Sequence, residues 1–243
     1  GHSQMDTEVD GKGVRQPIAL AIVKLLQVLP QTMLQQRLPR LINVLANSLK
    51  SHMQSIRDES RKTLVQVIAA LGPHYLYFAV EEMKGVLLRG YQRHVLAYTV
   101  HALLSELAPV VANGALDHCY DSILPVLQDE LVGALSHEKE VDALMKKTRE
   151  YKVGKAYDSF KLLAQSVSFG NLPALLAPVR SVLAATSASR TLQKVEEVLK
   201  RIAQGLLLNE SATHVEVFQF CHRTIMQQHE LGKKKNELAV AKK

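Results

Sequence analysis

Apolar side chains recur at three- and four-residue steps along most of the chain, and the pattern is clearest over residues 56–107. It predicts three consecutive amphipathic helices there, over about 56–71, 75–88 and 91–107. Gly72-Pro73 and Arg89-Gly90 end the first two, because glycine accepts the left-handed conformation at a helix C-terminus and proline cannot continue the hydrogen bonding. In the first helix, the face opposite the apolar line carries Arg57, Asp58, Arg61, Lys62 and Gln66.

The same periodicity predicts further helices on both sides of this stretch, over about 16–29, 33–50, 116–134, 157–169, 171–185 and 191–208, with a last one through 215–226. Helices joined by so few residues must lie antiparallel. They form five pairs, whose first helices begin near Gln16, Ser55, Tyr91, Tyr157 and Arg190. The steps between these starts are about 39, 36, 66 and 33 residues, compared with about 40–47 in HEAT and armadillo repeats. The predicted fold is therefore all-α, a HEAT-like α-solenoid of about five antiparallel helix pairs, with a compact helical bundle as the alternative.

A charged segment explains why one of these steps is longer than the others. Between residues 135 and 155 the sequence is dense in charges of both signs and poor in apolar residues. We interpret it as an insertion, over about 135–156, into one repeat. The predicted organisation is a leader over 1–13, a helical repeat domain over 14–230 and a frayed basic tail over 231–243. The opening GHSQM is typical of a cleaved tag, which would make the chain a piece of a longer protein.

The composition is that of a folding, helical and moderately basic protein. Apolar residues make up 47% and charged residues 22%, whereas aromatic residues make up only 5%, so we expect aliphatic packing. The net charge of +7 is compatible with nucleic acid, an acidic protein or an anionic membrane as a partner, and equally with ordinary charge that keeps the protein in solution. No apolar run reaches the roughly 20 residues of a membrane span. Cys119 and Cys221 are predicted to be reduced, semi-buried thiols.

Basic residues in the insertion are the candidate contacts for RNA or another partner: Lys146, Lys147, Arg149, Lys152 and Lys155. Tyr151 and Tyr157 are interleaved with them, so the segment could approach a phosphate backbone with a ring available for stacking. The alternative is a solvated linker of mixed charge, because Glu138, Glu140, Asp142 and Glu150 dilute the positive field. Arg89 and Arg93, near the end of a helical hairpin, are further candidate contacts.

The sequence indicates no catalytic, cofactor or metal site. It contains no nucleophile elbow, HExxH, dinucleotide loop or Walker A motif. His94 and His101 stand about 10 Å apart along one helix face, too far to share a zinc ion, and are predicted to form hydrogen bonds between helices. Adjacent helical residues point about 100° apart, so His118-Cys119 and Cys221-His222 would chelate a metal poorly.

Three strings resemble one known family: RGYQRHVLAYTVHALL over 89–104, RDESRKTLVQVIAALGPHYL over 57–76 and REYKVGKAYDSFKLLA over 149–164. The chain is similar, over most of 14–230, to an internal section of the DRIM (down-regulated in metastasis) family. These are giant HEAT-repeat proteins associated with U3 small nucleolar RNA in the small-subunit processome.

The resemblance implies a nucleolar, non-catalytic scaffold in the 90S pre-ribosome that supports pre-18S rRNA processing. Its implied partners are pre-ribosomal proteins and pre-rRNA or U3 small nucleolar RNA, with no cofactor, membrane or small-molecule substrate. The alternative is a karyopherin-like HEAT-repeat transport or adaptor protein. The karyopherin family is typified by acidic solenoids that bind basic cargo, whereas the net charge of +7 on this chain points to acidic partners.

Overall fold

The structure, a computed structural model, describes residues 16–88, 90–132, 150 and 155–226. Within these ranges every regular element is a helix, which confirms the all-α prediction for them. The helices are α1 Gln16–Val28, α2 Gln31–Ser48, α3 Gln54–Leu71, α4 Leu76–Val86, α5 Tyr91–Leu107, α6 Tyr120–Val132, α7 Ala156–Ser166, α8 Leu172–Leu175, α9 Ala177–Ala185 and α10 Ser189–Leu206, followed by α11 over 214–226. Single 3₁₀ turns over Pro73–Tyr75, Asp117–Cys119 and Phe169–Asn171 lie in the connections.

The predicted boundaries are wrong where a proline or a 3₁₀ turn interrupts the apolar periodicity. The single helix predicted over 171–185 is two helices, α8 and α9, and Pro178 stands at the start of the second. Its ring nitrogen has no hydrogen to donate to the preceding turn, so the ladder is interrupted there. The helix predicted from residue 116 begins at Tyr120, after a 3₁₀ turn. In contrast, α2 continues past Pro39 without ending.

The helices make contacts in two rows. In the first row α1, α3, α5, α7 and α10 each contact the next, and in the second row α2, α4, α6 and α9 do the same. The core fills the space between the rows and is mainly aliphatic, with Leu45, Leu64 and Leu103 fully buried. Burying one such side chain contributes about 1.5–3 kcal/mol. The low aromatic content therefore suits this packing, in which helices meet through side chains of medium size.

Helix α3 departs from the predicted amphipathic pattern. Its apolar face is buried as expected, including Leu64, Val67 and Ile68. Arg57 and Arg61, on the opposite face, were expected to be exposed to solvent. That expectation is wrong, because both side chains are buried as well. The reason is that α3 contacts α1, α2 and α5, so little of its circumference is left to solvent.

Helices α7 and α10 approach each other closely at Gly205. A Cβ atom built on Gly205 of α10 would lie 2.2 Å from the carbonyl oxygen of Lys161 and 2.7 Å from the Cβ of Ala164, both in α7. Only glycine fits at this crossing, because a carbonyl oxygen in a helix backbone cannot rotate away. No helix in the described ranges is long and apolar enough to cross a membrane.

Candidate functional site at the root of the charged insertion

Glu150 is the one residue between 133 and 154 that the structure describes, and it forms ion pairs with two arginines of α3. Its side chain is 1% exposed. Arg57 binds it with two nearly parallel hydrogen bonds, Nε to Oε1 at 2.9 Å and Nη2 to Oε2 at 3.1 Å. Arg61 donates a third from Nη2 to Oε1 at 2.7 Å. The fork of a guanidinium group matches the two oxygens of a carboxylate, which makes these charge-assisted bonds strong.

Arg57 also holds the connection between α2 and α3. Its Nη1 donates to the carbonyl oxygens of Ser51 and His52, at 2.9 and 3.0 Å. These backbone groups lie beyond the C-terminus of α2, where carbonyls lack partners within the helix. One fully buried guanidinium therefore joins the α2–α3 turn to Glu150.

Arg61 extends the network towards α5. Its Nε donates to Thr99 Oγ1 at 3.2 Å, and its Nη1 lies 2.5 Å from Asp58 Oδ1. The guanidinium carbon lies 4.7 Å from the centre of the Tyr98 ring, within the range of a cation–π contact. Two arginines and the carboxylates of Glu150 and Asp58 balance in charge, which is the condition for burying ions at tolerable cost.

The network keeps Glu150 ionised over most of the pH range. Burial by itself raises the pKa of this carboxyl, but hydrogen bonds from Arg57, from its own backbone N–H and from Arg61 outweigh burial and lower the pKa to about 2. The ordinary value is 4.5. The stabilisation is therefore complete above about pH 5 and is lost as the pH falls from there towards 2.

Most of the candidate partner contacts lie outside the described residues: Arg89, Lys146, Lys147, Arg149 and Lys152. The structure places the other two at the surface, each paired with a carboxylate. Lys155 Nζ lies 3.0 Å from Asp158 Oδ2, and Arg93 pairs with Asp129 of α6. Both keep about a third of their side chains exposed, 27% and 35%. Their role as partner contacts stays a prediction.

The string that carries the family resemblance is used in large part for contacts inside the molecule. Tyr91 donates its hydroxyl to the carbonyl of Lys50, at the end of α2. His94 Nδ1 lies 2.9 Å from Glu130 Oε2 of α6, and His101 Nδ1 lies 3.2 Å from Ser159 Oγ of α7. The prediction that both histidines form hydrogen bonds between helices is confirmed. Helix α5 therefore contacts helices of both rows.

The cysteines are free, but their exposure differs from the prediction of semi-buried thiols. Cys119 is fully buried, because it lies where α4, α6 and the 3₁₀ turn meet, whereas Cys221 lies on an exposed face of α11. Burial raises the pKa of the Cys119 thiol to about 12, so it stays protonated and is a poor metal ligand. No cluster of three or more metal-ligating side chains occurs in the part of the chain that the structure describes.

His101 gives the chain a measurable pH dependence. Burial, together with the nearby charge of Lys155, lowers its pKa from 6.5 to about 4, against the opposing effect of Asp158. The folded state thus keeps a neutral imidazole that the unfolded chain protonates below about pH 6.5, so stability is lost as the pH falls from 6.5 towards 4. We expect His101→Gln to lose less unfolding free energy than the parent chain between pH 7 and pH 5, as measured by urea denaturation. The two chains should show the same pH dependence above pH 7.5, and equal losses below pH 7 would contradict this assignment.

The chain is similar in sequence to a family of known proteins. Residues 5–225 match the U3 small nucleolar RNA-associated protein 20 domain. The chain belongs to that family. It is 35% identical over 209 residues to U3 small nucleolar RNA-associated protein 20 of Schizosaccharomyces pombe, and 31% identical over 213 residues to that of Saccharomyces cerevisiae. These alignments cover 86% and 88% of the chain but only 8% of each relative. The resemblance that the sequence suggested is confirmed, and the chain corresponds to a small section of much longer proteins.

Proposed function

We propose that this chain is a HEAT-like α-solenoid segment that acts as a non-catalytic scaffold in the small-subunit processome, the 90S pre-ribosome of the nucleolus. In this proposal it supports pre-18S rRNA processing and assembly through contacts with pre-ribosomal proteins and with pre-rRNA or U3 small nucleolar RNA. The observation that carries the proposal is membership of a family whose curated relatives are named as U3 small nucleolar RNA-associated.

The two rows of helices support a solenoid. The helices of the first row begin at Gln16, Gln54, Tyr91, Ala156 and Ser189, in steps of 38, 37, 65 and 33 residues. The one long step is the one that contains the insertion. Units that each cover the apolar face of the next build a ribbon with a large surface relative to its core. Such a surface suits many shallow contacts with large partners and excludes water poorly, which favours a scaffold over an enzyme.

The Glu150 network supports the insertion as an RNA contact. Read from the sequence, Glu150 dilutes the positive charge of its neighbours. In the folded chain its charge is neutralised by Arg57 and Arg61 of α3. Glu150 is therefore not available to offset the positive charges that Lys147, Arg149 and Lys152 add to this part of the sequence. A phosphate backbone is an acidic partner that suits such an excess of lysine and arginine.

Salt titration of RNA binding tests this proposal. If Lys146, Lys147, Arg149 and Lys152 each contact a phosphate, the logarithm of the affinity should fall linearly with the logarithm of salt, with a slope of about −3 for single-stranded RNA. That slope corresponds to a loss of roughly fifty-fold between 50 and 200 mM salt. Replacing all four residues by glutamate should abolish binding at 50 mM salt, as measured by fluorescence anisotropy with a labelled pre-rRNA fragment.

The control carries the same change of charge elsewhere on the surface: Lys24→Glu, Lys62→Glu, Arg180→Glu and Lys200→Glu. All four side chains are exposed. This variant should bind RNA less tightly only to the extent of its altered net charge and should keep the salt slope of the parent chain. Equal loss of binding in both variants would assign the effect to net charge and would reject the insertion as the contact.

A further inference from the structure

The connections between successive antiparallel helices alternate between the two edges of the rows. The α2–α3 and α4–α5 connections therefore share an edge with the α6–α7 connection, which contains the charged insertion. The buried guanidinium of Arg57 joins two of these three connections, since it binds both the carboxylate of Glu150 and the backbone carbonyl of His52. The α2–α3 connection thus lies beside Glu150, at the root of the proposed RNA contact.

Two aromatic rings meet on this edge. The imidazole of His52, in the α2–α3 connection, and the ring of Tyr91, at the start of α5, have centroids 5.3 Å apart and planes tilted by 41°. This separation is typical of favourable aromatic pairs. Tyr91 is held by the hydrogen bond from its hydroxyl to the Lys50 carbonyl, and the His52 backbone is held by Arg57. The His52–Tyr91 ring pair is therefore positioned by the fold itself.

The ring pair lies in an exposed, partly apolar surface. His52 is exposed, and Met53 and Leu88, in the same two connections, are 61% and 60% exposed. The sequence of these connections, over 49–53 and 87–90, contains two cationic residues and no aspartate or glutamate. Exposed aromatic and apolar side chains without negative charge suit the bases of a single-stranded nucleic acid.

We propose that the His52–Tyr91 ring pair is a stacking platform for a base of single-stranded RNA. This inference rests on the proposed function and deepens it, because the lysines and arginines of the insertion would bind phosphates while the imidazole of His52 would stack on a base. Every base has a π-face, so the platform requires no particular sequence. Since the fold positions the rings in advance, little ordering of the protein opposes the contact.

A second ring pair on the opposite edge provides an internal comparison. His74 and His118, in the α3–α4 and α5–α6 connections, have ring centroids 6.1 Å apart, and both residues are exposed. The charged insertion lies on the other edge, and an acidic residue, Asp117, adjoins His118 in the sequence. The two pairs therefore present similar rings, but only the His52–Tyr91 ring pair lies beside the proposed phosphate contacts.

The test compares two strands of twelve nucleotides, oligouridine and the same strand with abasic riboses, which keeps the phosphates but has no bases. Binding to the 243-residue chain is measured by fluorescence anisotropy. The parent chain should bind oligouridine more tightly than the abasic strand. In His52→Ala the affinity for oligouridine should fall roughly five-fold or more, the least that one base–ring stack contributes, with the salt slope and the affinity for the abasic strand unchanged.

Two control variants separate stacking from other effects of the substitution. His52→Tyr should keep the preference for oligouridine, because a tyrosine ring also stacks on bases. His74→Ala/His118→Ala should keep it as well, since both imidazoles lie on the opposite edge. That variant removes two imidazoles, so an effect of lost charge would be at least as large there as in His52→Ala.

Three results would overturn the platform: no preference for oligouridine in the parent chain, an undiminished preference in His52→Ala, or an equal loss of affinity for both strands in that variant. If reversing the charges of the insertion abolishes binding while His52→Ala keeps the preference, the proposed function stands and the platform alone is rejected. If the parent chain binds neither strand, both are rejected.

Thiol labelling tests which molecule covers the ring pair. In Met53→Cys/Cys221→Ser, Cys119 is buried, and the introduced thiol should react rapidly in the free chain and slowly when oligouridine is bound. Protection in the free chain would show that the chain covers the ring pair itself and would overturn the proposal. In assembled particles this position should be labelled only after ribonuclease treatment. Protection that survives the treatment would assign the surface to a protein partner instead.

Discussion

Glu150→Ala is expected to lower the free energy of unfolding by about 3–5 kcal/mol, because it leaves two buried guanidinium groups without their carboxylate. Arg57 is fully buried and would lose its ion-pair partner, whereas Arg61, which is nearly buried, would keep only Asp58. Chemical denaturation followed by circular dichroism measures the loss. The midpoint should shift far more than for an ordinary surface substitution, which changes stability by less than about 0.5 kcal/mol.

The matched control is Glu196→Ala, which removes a carboxylate that is 66% exposed and paired with Lys200 one turn away. We expect a change below about 0.5 kcal/mol there, since exposed pairs contribute little. A second comparison replaces the whole network by apolar residues, Arg57→Met/Arg61→Met/Glu150→Leu. This variant should recover much of the stability that Glu150→Ala loses, because no unpaired ion stays buried. A loss below about 1 kcal/mol in Glu150→Ala would show that the insertion is not fastened through this carboxylate.

Gly205→Ala is expected to destabilise the chain by about 3 kcal/mol, even though alanine is the better helix former. The added methyl group would lie 2.2 Å from the Lys161 carbonyl oxygen, so α7 and α10 must move apart at this crossing. In thermal unfolding this corresponds to a fall in the midpoint of roughly 6–12 °C for a chain of this size.

Gly85→Ala is the control for this prediction, because Gly85 also lies inside a helix but has no atom within 4 Å of its added Cβ. There we expect stabilisation of about 0.5–1 kcal/mol. Opposite signs for the same substitution in α10 and α4 would assign the effect to the helix crossing. A neutral or stabilising Gly205→Ala would mean that the two helices are farther apart than the structure has them.

The helices could be predicted from the sequence because they depend on local periodicity. The first-row helices begin within two residues of their predicted starts, and Tyr91–Leu107 agrees at both ends. The errors occur where a local rule competes with the periodicity, as at Pro178, where the apolar spacing continues but the backbone hydrogen bonding cannot. A burial pattern gives no warning of such a break.

The buried network could not be predicted in the same way, because its partners are far apart in the sequence. Glu150 lies 93 residues from Arg57 and 89 from Arg61. A charged residue on a helix face is normally exposed to solvent. Only the folded structure shows that a carboxylate lies against these two arginines. The one signal in the sequence was indirect. Two of the strings that carry the family resemblance begin at Arg57 and Arg149, and so contain both sides of the network.

The glycine contact at the α7–α10 crossing was missed for a related reason. Gly205 stands inside an apolar helical pattern, where glycine weakens the helix by about 1 kcal/mol relative to alanine. The loss of helix stability marks Gly205 as an unusual position, but it does not show which residue of another helix lies against it. The backbone of Lys161, on another helix, supplies the reason for the glycine, and only the packing of the two helices reveals it.

Cross-linking in the assembled particle would show whether this segment contacts pre-ribosomal RNA through the charged residues around Glu150, as proposed. Particles that contain the full-length protein would be irradiated with ultraviolet light, and the RNA-linked peptides identified by mass spectrometry. We expect adducts on peptides within residues 146–157, and we expect them to be lost when Lys146, Lys147, Arg149 and Lys152 are replaced by glutamate. Adducts confined to other helices, or undiminished adducts in the charge-reversed protein, would contradict it.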